Sequence, residues 1–185
     1  MSDVNIFSLL TKSELQNLSL VDGAKDFLVK GPGTNADGIQ VRNALPLLAD
    51  FIKTSDNAVQ NHESGAWLRF AHAETIAPLA TFMELSGAAE ADTSIFNYNQ
   101  VWNVSNIMGY SRNIQWIFYK KTNSNRDDDI RLKILLNEIP VHIPVATTEF
   151  PYYNWSEVRR FYITKIKDHG VNLTDNMYQY LLGLN

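Results

Sequence analysis

The chain has 185 residues, 45% of them hydrophobic, which is enough apolar side chain to build the buried core of a single domain over 1–185. With 19% charged residues and a net charge of -4, it lacks both the charge density of a disordered polyelectrolyte and the basic surplus of a nucleic-acid binder. It has no cysteine, so a disulfide framework, a thiol nucleophile and a zinc-thiolate site are excluded, and chemistry falls to carboxylates, histidines, hydroxyls or bound ions.

Residues 1–20 mix Asp3, Lys12 and Glu14 with short apolar pairs, which is neither the basic start nor the apolar run of a secretion signal. No apolar run reaches about 18 residues, so no spanning helix is expected. Thr11 and Glu14 have the spacing of a capping box, predicting a short first helix. The segment 22–29 carries Phe27, Leu28 and Val29 up to Lys30-Gly31-Pro32-Gly33, which forces a turn. Over 37–60, Ile39, Val41, Ala44, Leu47, Leu48, Phe51 and Ile52 recur at helical spacing, with Pro46 kinking the helix or opening a second one, and this helix is expected to cover a sheet.

Residues 65–72 are expected to form a buried strand, with Leu68 and Phe70 on one side and Trp67, Arg69 and Ala71 on the other. From 75 to 85 the helical period returns, and Pro78 is compatible with a first turn. The stretch 86–109 reads as a long loop with short helical pieces. Residues 114–120 and 130–136 are strand-like and form a hairpin whose tip, 123–129, is polar. The aspartates of that tip lack the glycine and distal glutamate of an EF-hand, so they read as solvated loop. Pro140 and Pro144 restrict 139–145 to an edge strand or a connection. Asn154 and Glu157 open a helix with Val158, Phe161, Tyr162, Ile163 and Ile166 on its apolar side, and Thr174 opens a last short one.

The chemistry-bearing stretch is Arg69-Phe70-Ala71-His72-Ala73-Glu74, which brings an imidazole and a carboxylate to a strand-to-helix turn. Ligands bind outside the carboxyl ends of strands in α/β sheets, and the first amides of the following helix favour an anion. An extended backbone through 74 would project His72 and Glu74 to the same side. Such a pair suits phosphate-ester cleavage: the imidazole donates to a phosphoryl oxygen, and a Glu kept protonated by burial or negative charge hands its proton to the departing alkoxide. Two other readings stay open on spacing alone. In one, the His satisfies a backbone carbonyl and the Glu caps a helix; in the other, both are metal ligands. A zinc deaminase is excluded, because its H-x-E element needs cysteines. His142, between apolar residues, and the aromatic cluster Tyr152, Tyr153 and Trp155 read as structural.

The stretch Leu68-Arg69-Phe70-Ala71-His72-Ala73-Glu74-Thr75 resembles the second signature of histidine acid phosphatases, in the H-A-E form of the multiple inositol polyphosphate phosphatases. Asp26 to Gly33, Met108 to Ile114 and Leu135 to Glu138 resemble three flanking family segments in the same order, so the resemblance covers about 27–162. It implies an α/β fold, part of a mixed histidine-phosphatase sheet with flanking helices, and a two-step phosphomonoesterase acting on inositol polyphosphates such as phytate. In that family a histidine of an R-H-G-x-R-x-P motif attacks phosphorus. Carried over by position, His72 binds phosphate and Glu74 is the proton donor. Arg112 and Lys30, in family-like segments near the expected cleft, are further candidate substrate contacts, and Arg69 either approaches the anion or pairs with an acidic neighbour. No metal or organic cofactor is implied.

No R-H-G-x-R-x-P occurs in the chain. It is therefore expected to be a carboxy-terminal portion of the phosphatase, inactive without the missing amino-terminal half, with exposed apolar surface that favours self-association. The resemblance places the parent protein in the periplasm or outside the cell. The alternative is a non-catalytic phosphate-binding or structural module of the same fold.

Overall fold

The computed structural model describes residues 6–121 and 129–184. After a 3₁₀ turn at Ile6–Leu9, helix α1 spans Lys12–Val29. The capping box forms: the Thr11 hydroxyl accepts from the Glu14 N–H, and the Glu14 carboxylate accepts from the Thr11 N–H at 2.7 Å. The helix is 18 residues long rather than short, running through Gly23 without a break. That glycine serves packing. A Cβ there would lie 2.5 Å from the Tyr98 hydroxyl, which donates to the Leu20 carbonyl at 2.8 Å. One turn on, Phe27 is fully buried against Tyr98 and Trp102, ring centroids 5.7 and 5.9 Å away. The predicted turn follows, with Gly33 at φ 58°.

Helices α2 (Ile39–Arg42) and α3 (Leu45–Gln60) divide as Pro46 requires, since a proline is tolerated in a first helical turn. Helix α4 spans Ala73–Phe82 and so begins earlier than its proline suggests. Pro78 lies inside it, and the acceptor that loses its partner is the Glu74 carbonyl in the first turn, where water can replace the missing amide. The following stretch holds only short pieces: a 3₁₀ turn at Ile95–Asn97, α5 (Tyr98–Val101) and α6 (Val104–Ile107).

Strands β1 (Ile114–Lys120) and β2 (Ile130–Leu136) pair antiparallel with Ile117 opposite Lys133, and their bounds are those read from hydropathy. Of the hairpin tip, 123–128 lies outside the described residues. Strands β3 (Ile139–Pro140) and β4 (Tyr152–Asn154) pair with the other side of β2, so β1 is an edge. Helix α7 (Trp155–Asp168) is capped by Asn154, which accepts from the Ser156 N–H at 2.9 Å. The last helix, α8 (Met177–Leu182), starts after Asn176 rather than at Thr174, because the Asn176 side chain accepts the first free amides.

The core lies between the sheet and helices α3, α4 and α7. Trp116 of β1 stacks on Tyr162 of α7 at 5.8 Å and meets Phe51 of α3 edge-on at 5.4 Å. Tyr162 is fully buried, and its hydroxyl donates to the Met83 carbonyl at 3.0 Å. The α/β class is as expected, and the described strands form a small antiparallel sheet flanked by helices. One expectation is corrected: residues 65–72 belong to no strand and are exposed rather than buried. A strand needs a neighbouring backbone to pair with, and among the described residues nothing lies beside 65–72 in that role.

Candidate functional site

The unpaired stretch ends at His72, whose extended backbone, with φ -77° and ψ 163°, takes the N-cap position of α4. From Ala73 the backbone is helical, so Glu74 sits in the first turn of α4 rather than on an extended continuation. The same-side projection argued from an extended backbone through 74 is thus replaced by a cap-and-first-turn arrangement. His72 and Glu74 remain electrostatic neighbours.

Lys30, at the end of α1, reaches across to this turn. Its Nζ donates to Glu74 Oε1 at 3.0 Å and lies 3.0 Å from Asp26 Oδ1. Asp26 is buried and one helical turn earlier, and it raises the Lys30 ammonium above its usual value. Glu74 is instead exposed, with 58% of its side chain open to solvent. Its own backbone amide, and then the Lys30 ammonium, hold the carboxyl below the usual range. This departs from the Glu kept protonated by burial: here the carboxylate is ionised beside a cation, as a helix-capping anion is.

A folded-state value below the ordinary one means that this pairing favours the folded chain above the ordinary Glu range and is lost as pH falls through the lowered value. Lys30→Met is therefore expected to move the Glu74 titration upward, though not fully to the ordinary value, because the amide contact persists. Carboxyl-carbon NMR against pH reads it, and an unmoved midpoint would remove Lys30 as a cause.

The two arginines are placed differently. Arg69 Nε donates to Asp50 at 2.7 Å and Nη2 to Thr54 at 2.7 Å, and the guanidinium lies over the Phe51 ring at 4.4 Å, so it is tied to α3. Arg112 Nη2 donates to the Ser105 carbonyl at 2.6 Å. Both border an open cavity of about 1070 Å³ between α3, residues 64–71 and β1, whereas Lys30, His72 and Glu74 do not line it. The structure therefore gathers Lys30, His72 and Glu74 at the start of α4 and leaves Arg69 and Arg112 in the adjoining groove. His142 stacks on Phe150 at 3.9 Å, and Tyr153 and Trp155 are buried in the core, in keeping with structural roles. Asp26 and Asp50 were missed by sequence reasoning. The first has a signal in its spacing to Lys30 on one helix face; the second, nineteen positions from Arg69 in sequence, has none.

No protein-family model and no curated protein matches the chain. Among solved structures, it is similar to the Bifidobacterium longum multiple inositol polyphosphate phosphatase in complex with phosphate, with a TM-score of 0.69 and 26% identity over 81% of this chain and 32% of that one. The apo form of that phosphatase matches with a TM-score of 0.62 and 29% identity over 75% of this chain and 30% of that one. The chain thus spans about a third of the length of these phosphatases, and the resemblance read from the H-A-E stretch reappears in its fold.

Proposed function

We propose that this chain supplies the proton-donor portion of a phosphomonoesterase acting on inositol polyphosphates, with His72 as a phosphate contact and Glu74 as the general acid. The supporting observation is the grouping of His72, Glu74 and Lys30 at the first turn of α4, within a fold shared with an inositol polyphosphate phosphatase. The imidazole and the ammonium together offer donors to a phosphoryl group. Lys30 can turn from Glu74 to an incoming phosphate. The charge added by that phosphate and the removal of water then favour the protonated carboxyl that the chemistry needs. Arg69 and Arg112 would add attraction for a polyanion from the adjoining groove.

Attack on phosphorus requires a nucleophile from outside this chain, since the R-H-G-x-R-x-P motif is absent. The test is to supply the two thirds of the Bifidobacterium longum phosphatase that this chain does not cover and to measure phosphate release from phytate. Release is expected from the assembled pair and from neither part by itself. Comparable release from this chain alone would overturn the division of labour. An assembled pair that binds phosphate without releasing any from phytate would favour the non-catalytic module.

A further inference from the structure

We propose that Asp26 is a positioning residue of the phosphate site: it anchors the Lys30 ammonium beside the first turn of α4, so that this cation can pass from Glu74 to an arriving phosphate without leaving the site. The anchor stands on geometry alone; its use for phosphate rests on the functional reading above.

A buried carboxylate loses its hydration, and an apolar side chain of like size in its place is often no less stable, so its partner has to account for it. Asp26 is 7% exposed, and its Oδ1 accepts no hydrogen bond from any other described group; what it meets is the Lys30 Nζ at 3.0 Å. The same residue fixes the Lys30 backbone, its carbonyl accepting from the N–H of Lys30 at 2.9 Å and of Gly31 at 3.0 Å. The lysine is thus held at both ends by the residue four positions earlier, with its ammonium directed across to α4.

The neighbouring charges leave this pair intact. Lys25 also approaches Asp26, at 3.9 Å, but its Nζ lies 2.9 Å from Asp22 on the exposed side. Around Glu74 the charged groups are Lys30 and His72. Helices α5 and α6, which pack on α1, carry no charged side chain, and their one titratable group, Tyr98, donates to the Leu20 carbonyl.

The two carboxylates therefore hold the ammonium unequally. Asp26 has 10% of its side chain exposed and Glu74 58%, and an ion pair open to water contributes little, because solvent screens it and long side chains lose freedom in making it. Glu74 can release the cation at small cost, whereas Asp26 keeps it. When a phosphate arrives, the ammonium exchanges one exposed acceptor for another, and its charge stays at the turn.

The first test uses the free chain, without substrate, and reads the Lys30 ammonium by proton–nitrogen NMR. Glu74→Gln, a change at an exposed position, is expected to leave the ammonium signal ordered and slow to exchange. Asp26→Asn, which keeps the size of the side chain and removes its charge, should lose that signal. In Asp26→Asn the Glu74 titration should also move upward, toward that of Lys30→Met, since a cation no longer held nearby no longer favours the carboxylate. Loss of the ammonium signal in Glu74→Gln would overturn the proposal, and it decides even where Asp26→Asn does not fold. So would a Glu74 midpoint that is unmoved or lowered in Asp26→Asn.

In the assembled phosphatase, Asp26→Asn should raise KM for phytate about tenfold, the weight of one hydrogen bond to a charged group, and carry the descending limb of kcat/KM to higher pH. Asp26→Glu, which restores the charge, should return both toward the unaltered values. Placed on Lys30→Met, Asp26→Asn should add nothing, because a positioning residue acts through the group that it positions. A further loss there would mark a merely structural role and overturn the proposal. An ordered ammonium with no phosphate release from phytate would leave the anchor standing and remove the catalytic reading; release with KM and limb unchanged in Asp26→Asn would do the reverse.

Discussion

Glu74→Gln in the assembled phosphatase is expected to lower phosphate release from phytate by about 10² to 10⁴-fold, the range contributed by a positioned general acid. Loss of phosphate from an inositol ring expels an alkoxide, a poor leaving group that must be protonated as the bond breaks. The amide of Gln keeps the size and hydrogen-bonding capacity of the side chain but has no proton to give. p-Nitrophenyl phosphate, whose phenolate leaves without help, should lose less than about tenfold in the same variant, because the acid is then dispensable. The contrast between the two substrates separates an acid from a mere binding residue, which would affect both alike. Equal losses on both, or undiminished phytate hydrolysis, would remove Glu74 from the role. The pH dependence follows from the same chemistry: Lys30 and the helix amide keep the free carboxyl ionised, so hydrolysis of phytate should decline as pH rises through the Glu74 value in the complex. In Glu74→Gln that limb should vanish.

Phe27→Ala is expected to destabilise the chain by about 3–5 kcal/mol, the range for removing a large buried aromatic side chain. Phe27 has no exposed surface, and it joins α1 to the Tyr98 and Trp102 rings. Just beyond the helix, Gly31 packs closely on the same indole, since a Cβ there would lie 3.0 Å from Trp102. Loss of the ring therefore loosens the carboxyl end of α1, which carries Asp26 and leads into Lys30. Chemical denaturation reads the stability, and the distance between Lys30 and Glu74 provides a second readout through the Glu74 titration, which should move toward that of Lys30→Met. A variant with an unchanged denaturation midpoint would show that this end of α1 does not depend on Phe27.

Local signals made much of the architecture legible. Strands β1 and β2 were bounded to the residue because five of the seven positions in each are apolar, β-branched or aromatic and a polar stretch separates the two runs. Pro46 located the break before α3, and Asn154 the start of α7, since both act on the adjacent backbone. The same local logic failed for α1, read as short: a glycine costs a helix about 1 kcal/mol, but at Gly23 the missing side chain lets Tyr98, a residue far along the chain, dock on the helix. It failed again at α4, which starts at Ala73 rather than at 75, so that Pro78 lies inside the helix rather than in its first turn.

The amino-acid order fixed the H-A-E stretch and the helix that follows, because backbone preference and hydrophobic period are properties of neighbouring residues. Folding decided that Glu74 meets the Lys30 ammonium, that Arg69 is spent on Asp50, and that 65–72 stays unpaired. An ion pair depends on which distant groups arrive alongside, and a strand exists only where a second backbone lies within hydrogen-bonding reach. Neither condition is written in the segment that it governs.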